Sequence, residues 1–286
     1  MPAAQPGHVQ FSPHPSAISC NVNYCRLNPP KCPSSCPIEI TSGKCGSGND
    51  ALYECVASNT STTIPVNTST GTIKHVVIIM LENQEFNSTL YSHWQTQAPY
   101  MWSLANPIGT GKYAFADQFF AVRHSSLPNY LTLIAGSTVG ISSACDPSTC
   151  GVSYNSIANL LDFKGLSWKT YQESMPTPCD MSNSGNYVTK HNPFIFFKYI
   201  TSNTTYCDAH VVPLSPNLNN DLASNTLPAY SFITPNACND GDNNCGEGTA
   251  YELNYTDKWL AGFFASVSFW FKLPNANIFS IVASVE

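Results

Sequence analysis

Carboxylate and amide side chains directly follow the longest buried-looking segment of this chain, where they could bind a metal ion. Glu82 and Asn83 come after the apolar run Val76–Leu81, in which four of six residues are β-branched. Such an unbroken run is typical of a strand buried on both faces of a parallel sheet. Ligands of open α/β sheets bind at the carboxyl ends of strands, and oxygen donors there suit a hard divalent cation. The alternative interpretation is a strand followed by an ordinary polar turn.

Ser126 is a second candidate, because its position favours phosphate chemistry. It precedes a stretch of helical spacing over 127–135 that ends at Gly136, and Pro128 would lie in the first turn. A serine at a helix N-terminus faces free backbone N–H groups and the positive end of the helix dipole, which suit a phosphate. The alternative interpretation is that Ser126 only caps the helix.

These candidates need a scaffold that brings strand ends together. The sequence predicts strands over 74–81, 113–122, 167–172, 228–234 and 277–283, and helices over 101–105, 127–135, 156–163 and 259–271. Strands alternating with helices predict an α/β fold with a doubly wound, mostly parallel sheet flanked by helices. The strand 228–234 also ends in polar and acidic residues, including Asp240 and Asp242, without the spacing of an EF-hand.

Composition excludes some classes of function. Only 10% of the 286 residues are charged, the net charge is −6 and no basic run occurs, so nucleic acid is not an expected partner. A membrane-spanning helix needs about 18 or more consecutive apolar residues. The nearest candidate, Leu260–Leu273, is shorter and is interrupted by Lys272. We therefore predict no transmembrane segment.

The twelve cysteines indicate an oxidising compartment and fall into two even sets. The first set is Cys20, Cys25, Cys32, Cys36, Cys45 and Cys55. For the second set we predict the disulfides Cys145–Cys150, Cys179–Cys207 and Cys238–Cys245, which pair neighbours in sequence. Residues 1–57 are interpreted as a small disulfide-rich N-terminal module, 58–72 as a Ser/Thr-rich linker and 73–286 as the main domain. Zinc binding at Cys32 and Cys36 is the alternative for the first set.

Five Asn-x-Ser/Thr sequons fit a secreted or cell-surface glycoprotein. They lie at Asn59, Asn67, Asn87, Asn203 and Asn254.

Five sequence pieces together resemble a known family. The pieces are His75–Asn83, His124–Tyr130, Tyr171–Pro176, His191–Phe194 and Ile233–Asp240. In this order they are similar to the secreted phosphoesterase family of acid phosphatases and phosphatidylinositol-type or non-specific phospholipases C. That family has the fold of the alkaline phosphatase superfamily. The resemblance covers about residues 73–286 and leaves the N-terminal module unexplained.

The resemblance implies a role for each candidate residue. Ser126 would be the nucleophile, with the adjacent Ser125 as the alternative, and would form a phosphoserine that water then hydrolyses. His124, Asn129 and His191 would bind phosphate oxygens or protonate the leaving group. A divalent metal ion would be bound by a set of oxygen donors. This set is Glu82, Asn83, Asp240 and Asn239, with Asp242 as a substitute ligand.

The chain also departs from the family pattern. Gly241, Asp242 and Asn243 stand where the family usually has a histidine-aspartate pair, and the segment after the last strand would lack the family's C-terminal ligands. Two classes of function follow. The first is a secreted, metal-dependent phosphoric-ester hydrolase of acid phosphatase type, with phospholipase C as its close rival, acting on a phosphorylated small molecule or a phospholipid. The second is a catalytically impaired homologue with a structural or binding role at the cell surface.

Overall fold

The chain divides into two compact units, Met1–Ser69 and Thr70–Glu286. The computed structural model describes residues 22–26, 38–44, 51–55, 73–82, 96–105, 120–243, 245, 250–271 and 277–284. The boundary between the units falls inside the segment 58–72, which is predicted to be a linker. This segment lies outside the described residues. The division into a module, a linker and a main domain stays a prediction.

The first unit contains a three-stranded antiparallel sheet. Its strands are β1 (Val22–Arg26), β2 (Ile38–Lys44) and β3 (Ala51–Cys55), with β3 in the middle. No strand was predicted within residues 1–57, because strands this short show no sustained period among Pro and Cys residues. The side chains of the first six cysteines, and with them the zinc alternative, lie outside the described structure.

The second unit is built on a five-stranded sheet. Its strands are β4 (His75–Leu81), β5 (Trp168–Gln172), β6 (Val211–Pro213), β7 (Tyr230–Thr234) and β8 (Ile278–Ser284). They lie in the order β6-β5-β7-β4-β8, and each neighbouring pair is parallel. This order confirms the predicted α/β fold with a parallel sheet.

Strand β4 lies between β7 and β8 and is buried on both of its faces. Successive side chains of a strand point to opposite faces of the sheet. Accordingly, Val77, Ile79 and Leu81 belong to one apolar cluster, whereas Met80 belongs to another, against which Val76 also packs. The unbroken apolar run of the sequence is therefore explained by burial on two sides rather than by a helix.

Helices cover both faces of this sheet, as the doubly wound arrangement requires. They are α1 (Pro99–Ala105), α2 (Ser126–Ala135), α3 (Pro147–Cys150), α4 (Ile157–Phe163), α5 (Lys198–Thr201), α6 (Thr204–His210), α7 (Leu214–Ala223) and α8 (Ala250–Phe271), with 3₁₀ helices at Thr189–His191 and Pro193–Phe196. Leu127 and Leu131 of α2 pack on one face. Leu218 of α7 and Leu260 of α8 pack on the other.

Several elements differ from their sequence predictions. Helix α8 begins at Ala250 rather than at residue 259. The strand predicted over 113–122 lies mostly outside the described residues, and its described end, 120–122, forms no strand. Elements β6, α3, α5, α6 and α7 were not predicted. The first three span only three or four residues, and α6 and α7 carry few apolar residues from which a helical period could be recognised. No described helix has the length and apolar character needed to cross a membrane.

Three disulfides fasten loops around the second unit. They join Cys145 to Cys150, Cys179 to Cys207 and Cys238 to Cys245, which is the pairing that the sequence predicts. The second disulfide connects the segment after β5 to helix α6. The third closes the loop that follows β7, and Asp240 and Asp242 lie within that closed loop.

Candidate active site and metal centre

Glu82 lies at the centre of a buried polar cluster at the carboxyl end of β4. Its side chain is fully buried, and its backbone N–H donates to the carbonyl of Asp240 at 2.8 Å. One carboxylate oxygen, Oε2, accepts a hydrogen bond from Ser126 Oγ at 3.2 Å. The other, Oε1, lies 3.2 Å from His191 Nε2. Strand β4 therefore positions one carboxylate between a hydroxyl and an imidazole.

Ser126 is the first residue of helix α2 and is not its cap. The N-cap is Ser125, which has extended backbone angles and makes no side-chain capping hydrogen bond. The Ser126 side chain is buried, and its hydroxyl donates a hydrogen bond to Glu82. The capping interpretation is thus wrong for Ser126, and its hydroxyl lies beside the carboxylate that the sequence singles out as a metal ligand.

His191 connects the two acidic segments of the cluster. Its Nδ1 donates to Asp240 Oδ2 at 2.7 Å. Its Nε2 is buried, lies 3.2 Å from Glu82 Oε1 and 3.9 Å from Asp242 Oδ2, and makes no hydrogen bond within the described part of the chain. A histidine that gives one ring N–H to a carboxylate commonly presents the other nitrogen to a metal. The ring also stacks on Tyr130, with centroids 5.2 Å apart.

The loop after β7 supplies the remaining carboxylates. Asp240 is fully buried, and its Oδ1 accepts the backbone N–H of Asp242 at 2.8 Å. Burial raises the pKa of the Asp240 carboxyl, and the hydrogen bond from His191 acts in the opposite direction. Asp242 is paired with Lys190, whose Nζ lies 2.8 Å from its Oδ2.

Glu82, His191 and Asp242 fit a divalent metal ion. One ligand atom from each lies within 4.8 Å of the others. Two carboxylate oxygens and an imidazole nitrogen are a donor set that divalent transition metals accept. The buried His191 Nε2, which lacks a hydrogen-bond partner among the described residues, supports this grouping. These three residues would hold the ion.

The grouping differs from the predicted ligand set. Asn83 lies outside the described residues. Both Asp240 oxygens accept hydrogen bonds, one from the ring of His191. The Asn239 side chain donates to Glu173 Oε2 at 2.9 Å. Direct ligation by Asn83, Asp240 and Asn239 stays a prediction, whereas His191 joins the group from a position that the sequence assigned to phosphate binding.

The other predicted catalytic residues have different environments. The Asn129 amide oxygen accepts the N–H groups of Val122 and Arg123 at 3.0 Å each, and its nitrogen donates to the Arg123 carbonyl at 2.8 Å. Asn129 therefore holds the segment that leads into helix α2. His124 lies in that segment and is exposed. Their roles toward a phosphate stay predictions.

Tyr130 is a member of the cluster that sequence reasoning missed. Its side chain is fully buried against His191. Burial raises the pKa of the Tyr130 hydroxyl well above its usual value, and the charges of Glu82 and Asp240 raise it further. The hydroxyl is therefore a neutral donor near the acidic groups. The sequence signals were its place at the end of the family-like piece His124–Tyr130 and its position one helical turn after Ser126.

Glu173 organises the loop that carries the acidic residues. Its Oε2 accepts the backbone N–H of Asn236 at 2.8 Å and the Asn239 amide at 2.9 Å. Its Oε1 accepts Trp259 Nε1 of helix α8 at 2.9 Å. The sequence places Glu173 at a strand end, but its three donors come from distant segments and could be found only in the fold.

We expect Glu173→Gln to lower the free energy of unfolding by about 1–3 kcal/mol, because the new amide donor would face one of the three existing donors. Urea unfolding of the two proteins measures this difference. Asp208→Asn, at an exposed position, is the matched control and should change stability by less than about 0.5 kcal/mol. Equal stability of Glu173→Gln and the unsubstituted protein would contradict this role for Glu173.

Comparison with known proteins identifies the family. The model of the Phosphoesterase family matches residues 87–267, which is more than half of the chain. The chain belongs to the phosphoesterase family. The matched segment of this phosphoesterase family member includes Ser126, His191 and the loop that carries Asp240 and Asp242. Glu82 lies before the start of the matched segment. The assignment of Glu82 to the site therefore rests on its contacts.

Curated relatives of this phosphoesterase family member are named as phosphatases. An acid phosphatase of Aspergillus fumigatus is 34% identical over 152 residues, which cover 50% of this chain and 32% of the relative. A probable acid phosphatase of Kluyveromyces lactis is 34% identical over 157 residues, or 51% of this chain and 34% of the relative. A phosphatidylinositol-3-phosphatase of Mycobacterium tuberculosis is 30% identical over 212 residues, or 72% and 61%. The chain thus spans about a third of the two fungal relatives.

Two of the predicted glycosylation sites lie among the described residues. Asn203 is exposed, and its side-chain oxygen caps helix α6 by accepting the N–H of Tyr206. Asn254 lies within helix α8, and its amide nitrogen donates to the Gln97 carbonyl at 3.4 Å. The remaining sequons fall outside the described structure. Asn203 is the better placed of the two for a glycan.

Proposed function

We propose that this chain is a metal-dependent phosphoric-ester hydrolase that acts through Ser126 as nucleophile, in the manner of an acid phosphatase. The observation that carries the proposal is the hydrogen bond from Ser126 Oγ to Glu82, whose other carboxylate oxygen faces His191 Nε2. A hydroxyl is thereby placed next to a group of residues that fits a divalent ion. The matches to acid phosphatases support the same chemistry.

The chain's own residues supply the steps of hydrolysis. Ser126 Oγ would attack phosphorus, and Glu82 Oε2, which already accepts its hydrogen bond, is placed to receive the hydroxyl proton. The ester oxygen leaves as phosphoserine forms and takes a proton from water to become the alcohol. The resulting hydroxide attacks phosphorus and releases phosphate, and the protonated Glu82 returns its proton to Ser126 Oγ. His191 is held in one orientation by Asp240 and by the Tyr130 ring. A bound divalent ion would lower the charge repulsion between this acidic cluster and a phosphate.

Secretion is part of the proposal. The three disulfides of the described residues and the exposed Asn203 sequon support an oxidising, glycosylating route. The substrate is proposed to be a phosphate monoester. A catalytically impaired homologue and a phospholipase C are the alternatives that the same activity measurements separate.

The test is hydrolysis of p-nitrophenyl phosphate by the full chain from about pH 4 to 8. Removal of metal with a chelator is expected to lower turnover by about 100-fold or more, and added Mn²⁺, Mg²⁺, Zn²⁺ or Ca²⁺ should restore it. p-Nitrophenylphosphorylcholine, assayed in parallel, would reveal a phospholipase C preference. Turnover that survives complete metal removal would overturn metal dependence, and no turnover of folded protein with any of these ions would favour the impaired homologue.

A further inference from the structure

Lys190 forms an ion pair at the edge of the acidic cluster, although the mechanism above does not use it. Its Nζ lies 2.8 Å from Asp242 Oδ2. The Asp242 side chain is 10% exposed and that of Lys190 is 33% exposed, so the lysine is the more exposed partner of the pair. Lys190 directly precedes His191 in the 3₁₀ helix Thr189–His191, which fixes its backbone beside the site.

The carboxylate of Asp242 lies between Lys190 and the metal-ligand group. Its Oδ2 is the atom paired with Lys190, and the same atom lies 3.9 Å from His191 Nε2, on the side of the metal-ligand group. An ion bound by Glu82, His191 and Asp242 would compete with the ammonium for this carboxylate. Two positive charges at one carboxylate repel each other, and the flexible four-carbon stem of a lysine lets its ammonium move away.

A phosphate approaching this site also needs a positive group. Glu82, Asp240 and Asp242 contribute carboxylates to the cluster, and like charges would oppose a phosphate dianion. Lysine is a common phosphate ligand because its ammonium presents three donors and a compact charge. Lys190, in direct contact with the cluster and partly exposed, is placed to provide that charge at its mouth.

We propose that Lys190 has two alternating partners: it neutralises Asp242 in the metal-free protein and binds a phosphate oxygen of the substrate once a metal ion occupies Asp242. This inference rests on the proposed function. It assigns to Lys190 a role in both metal affinity and phosphate recognition. Removing the charge of Lys190 should raise the affinity for the metal ion and lower the affinity for phosphate. A purely structural ion pair would not produce these two opposite changes.

The chain offers a matched structural ion pair for comparison. Lys169 Nζ lies 2.7 Å from Asp221 Oδ2, and the two side chains are 28% and 13% exposed. This pair resembles Lys190–Asp242 in distance and burial, but Asp221 also accepts the hydroxyl of Tyr171 and belongs to no metal-ligand group among the described residues. Lys169→Met therefore measures the effect of losing a similar pair elsewhere.

The experiment measures two affinities of Lys190→Met by titration calorimetry. Mn²⁺ is expected to bind the metal-free variant about 3–10-fold more tightly than the unsubstituted protein, because the competing ammonium is gone. Inorganic phosphate is expected to bind the Mn²⁺-saturated variant about 10-fold more weakly, because a charge-assisted hydrogen bond is lost. Lys190→Arg should restore phosphate affinity in part, and Lys169→Met should change either constant by less than about 2-fold.

Each other outcome has a defined meaning. Weaker or unchanged Mn²⁺ binding by Lys190→Met, or unchanged phosphate affinity, would overturn the inference while leaving the proposed function intact. Absence of binding of Mn²⁺, Mg²⁺, Zn²⁺ and Ca²⁺ to the unsubstituted protein would overturn both. If Lys190→Met fails to fold by circular dichroism, Lys190→Gln, which keeps the polar stem end without the charge, carries the same two expectations.

Discussion

Ser126→Ala is expected to lower kcat for p-nitrophenyl phosphate by about 10³-fold or more, because it removes the hydroxyl oxygen that would form the proposed phosphoserine at position 126. The change should leave the fold intact, since the Ser126 side chain is small and Ser126 is not the N-cap of helix α2. Steady-state kinetics with saturating metal, together with circular dichroism, measures both effects.

Ser125→Ala separates the two adjacent serines. Ser125 is the N-cap of α2, has no side-chain capping bond and is only half-buried. We expect its replacement to change kcat by less than about 5-fold, since it has no described contact with Glu82. The reverse ranking, with Ser125→Ala inactive and Ser126→Ala active, would transfer the nucleophile to Ser125. Trapping of phosphate on one serine, located by mass spectrometry, gives the same answer independently.

His191→Ala is expected to weaken Mn²⁺ binding by about 100-fold or more, because it removes a nitrogen that lies between Glu82 and Asp242. It also leaves the buried Asp240 carboxylate without its partner at Oδ2. Titration of metal-free protein with Mn²⁺ measures the loss. If His191 only contacted phosphate, as the sequence resemblance implies, Mn²⁺ affinity would instead stay close to its original value.

His124→Ala provides the comparison for this histidine. His124 is exposed in the segment before α2 and is absent from the metal-ligand group of the described residues. Its replacement should leave Mn²⁺ affinity within about 2-fold and lower phosphate affinity if the predicted phosphate role is right. A large loss of Mn²⁺ affinity in His124→Ala would contradict the grouping of Glu82, His191 and Asp242.

The elements that position Glu82 and Ser126 were predicted from the sequence. The unbroken apolar run before Glu82 predicted a strand buried on two faces, and β4 is such a strand. Spacing likewise predicted helix α2 and placed Ser126 at its start. These predictions succeeded because the buried residues of a strand or helix form a local pattern of apolar residues in the sequence.

The contacts between side chains distant in sequence could not be predicted from such local patterns. The strand order β5-β7-β4 inserts the seventh strand between the fifth and the fourth, so its following loop meets both Glu82 and Glu173. No local pattern encodes that order. For the same reason the link between His191 and Asp240, 49 residues apart, was not predicted, and neither was the pairing of Lys190 with Asp242.

Residue types and their spacing were enough to predict the parallel α/β scaffold, the three disulfides between sequence-adjacent cysteines of the second unit and the polar residues at the strand ends. Those features can be predicted because they depend on residue type and short-range spacing. The spacing of apolar residues reflects which side chains are buried, and the disulfides close short loops. The fold was needed to find that Ser126 faces Glu82 and that Asp240 orients His191. It was also needed to find that Lys190 shares Asp242 with the metal-ligand group. Such contacts depend on how separate strands are ordered and stacked, because side chains distant in sequence meet only when the sheet assembles.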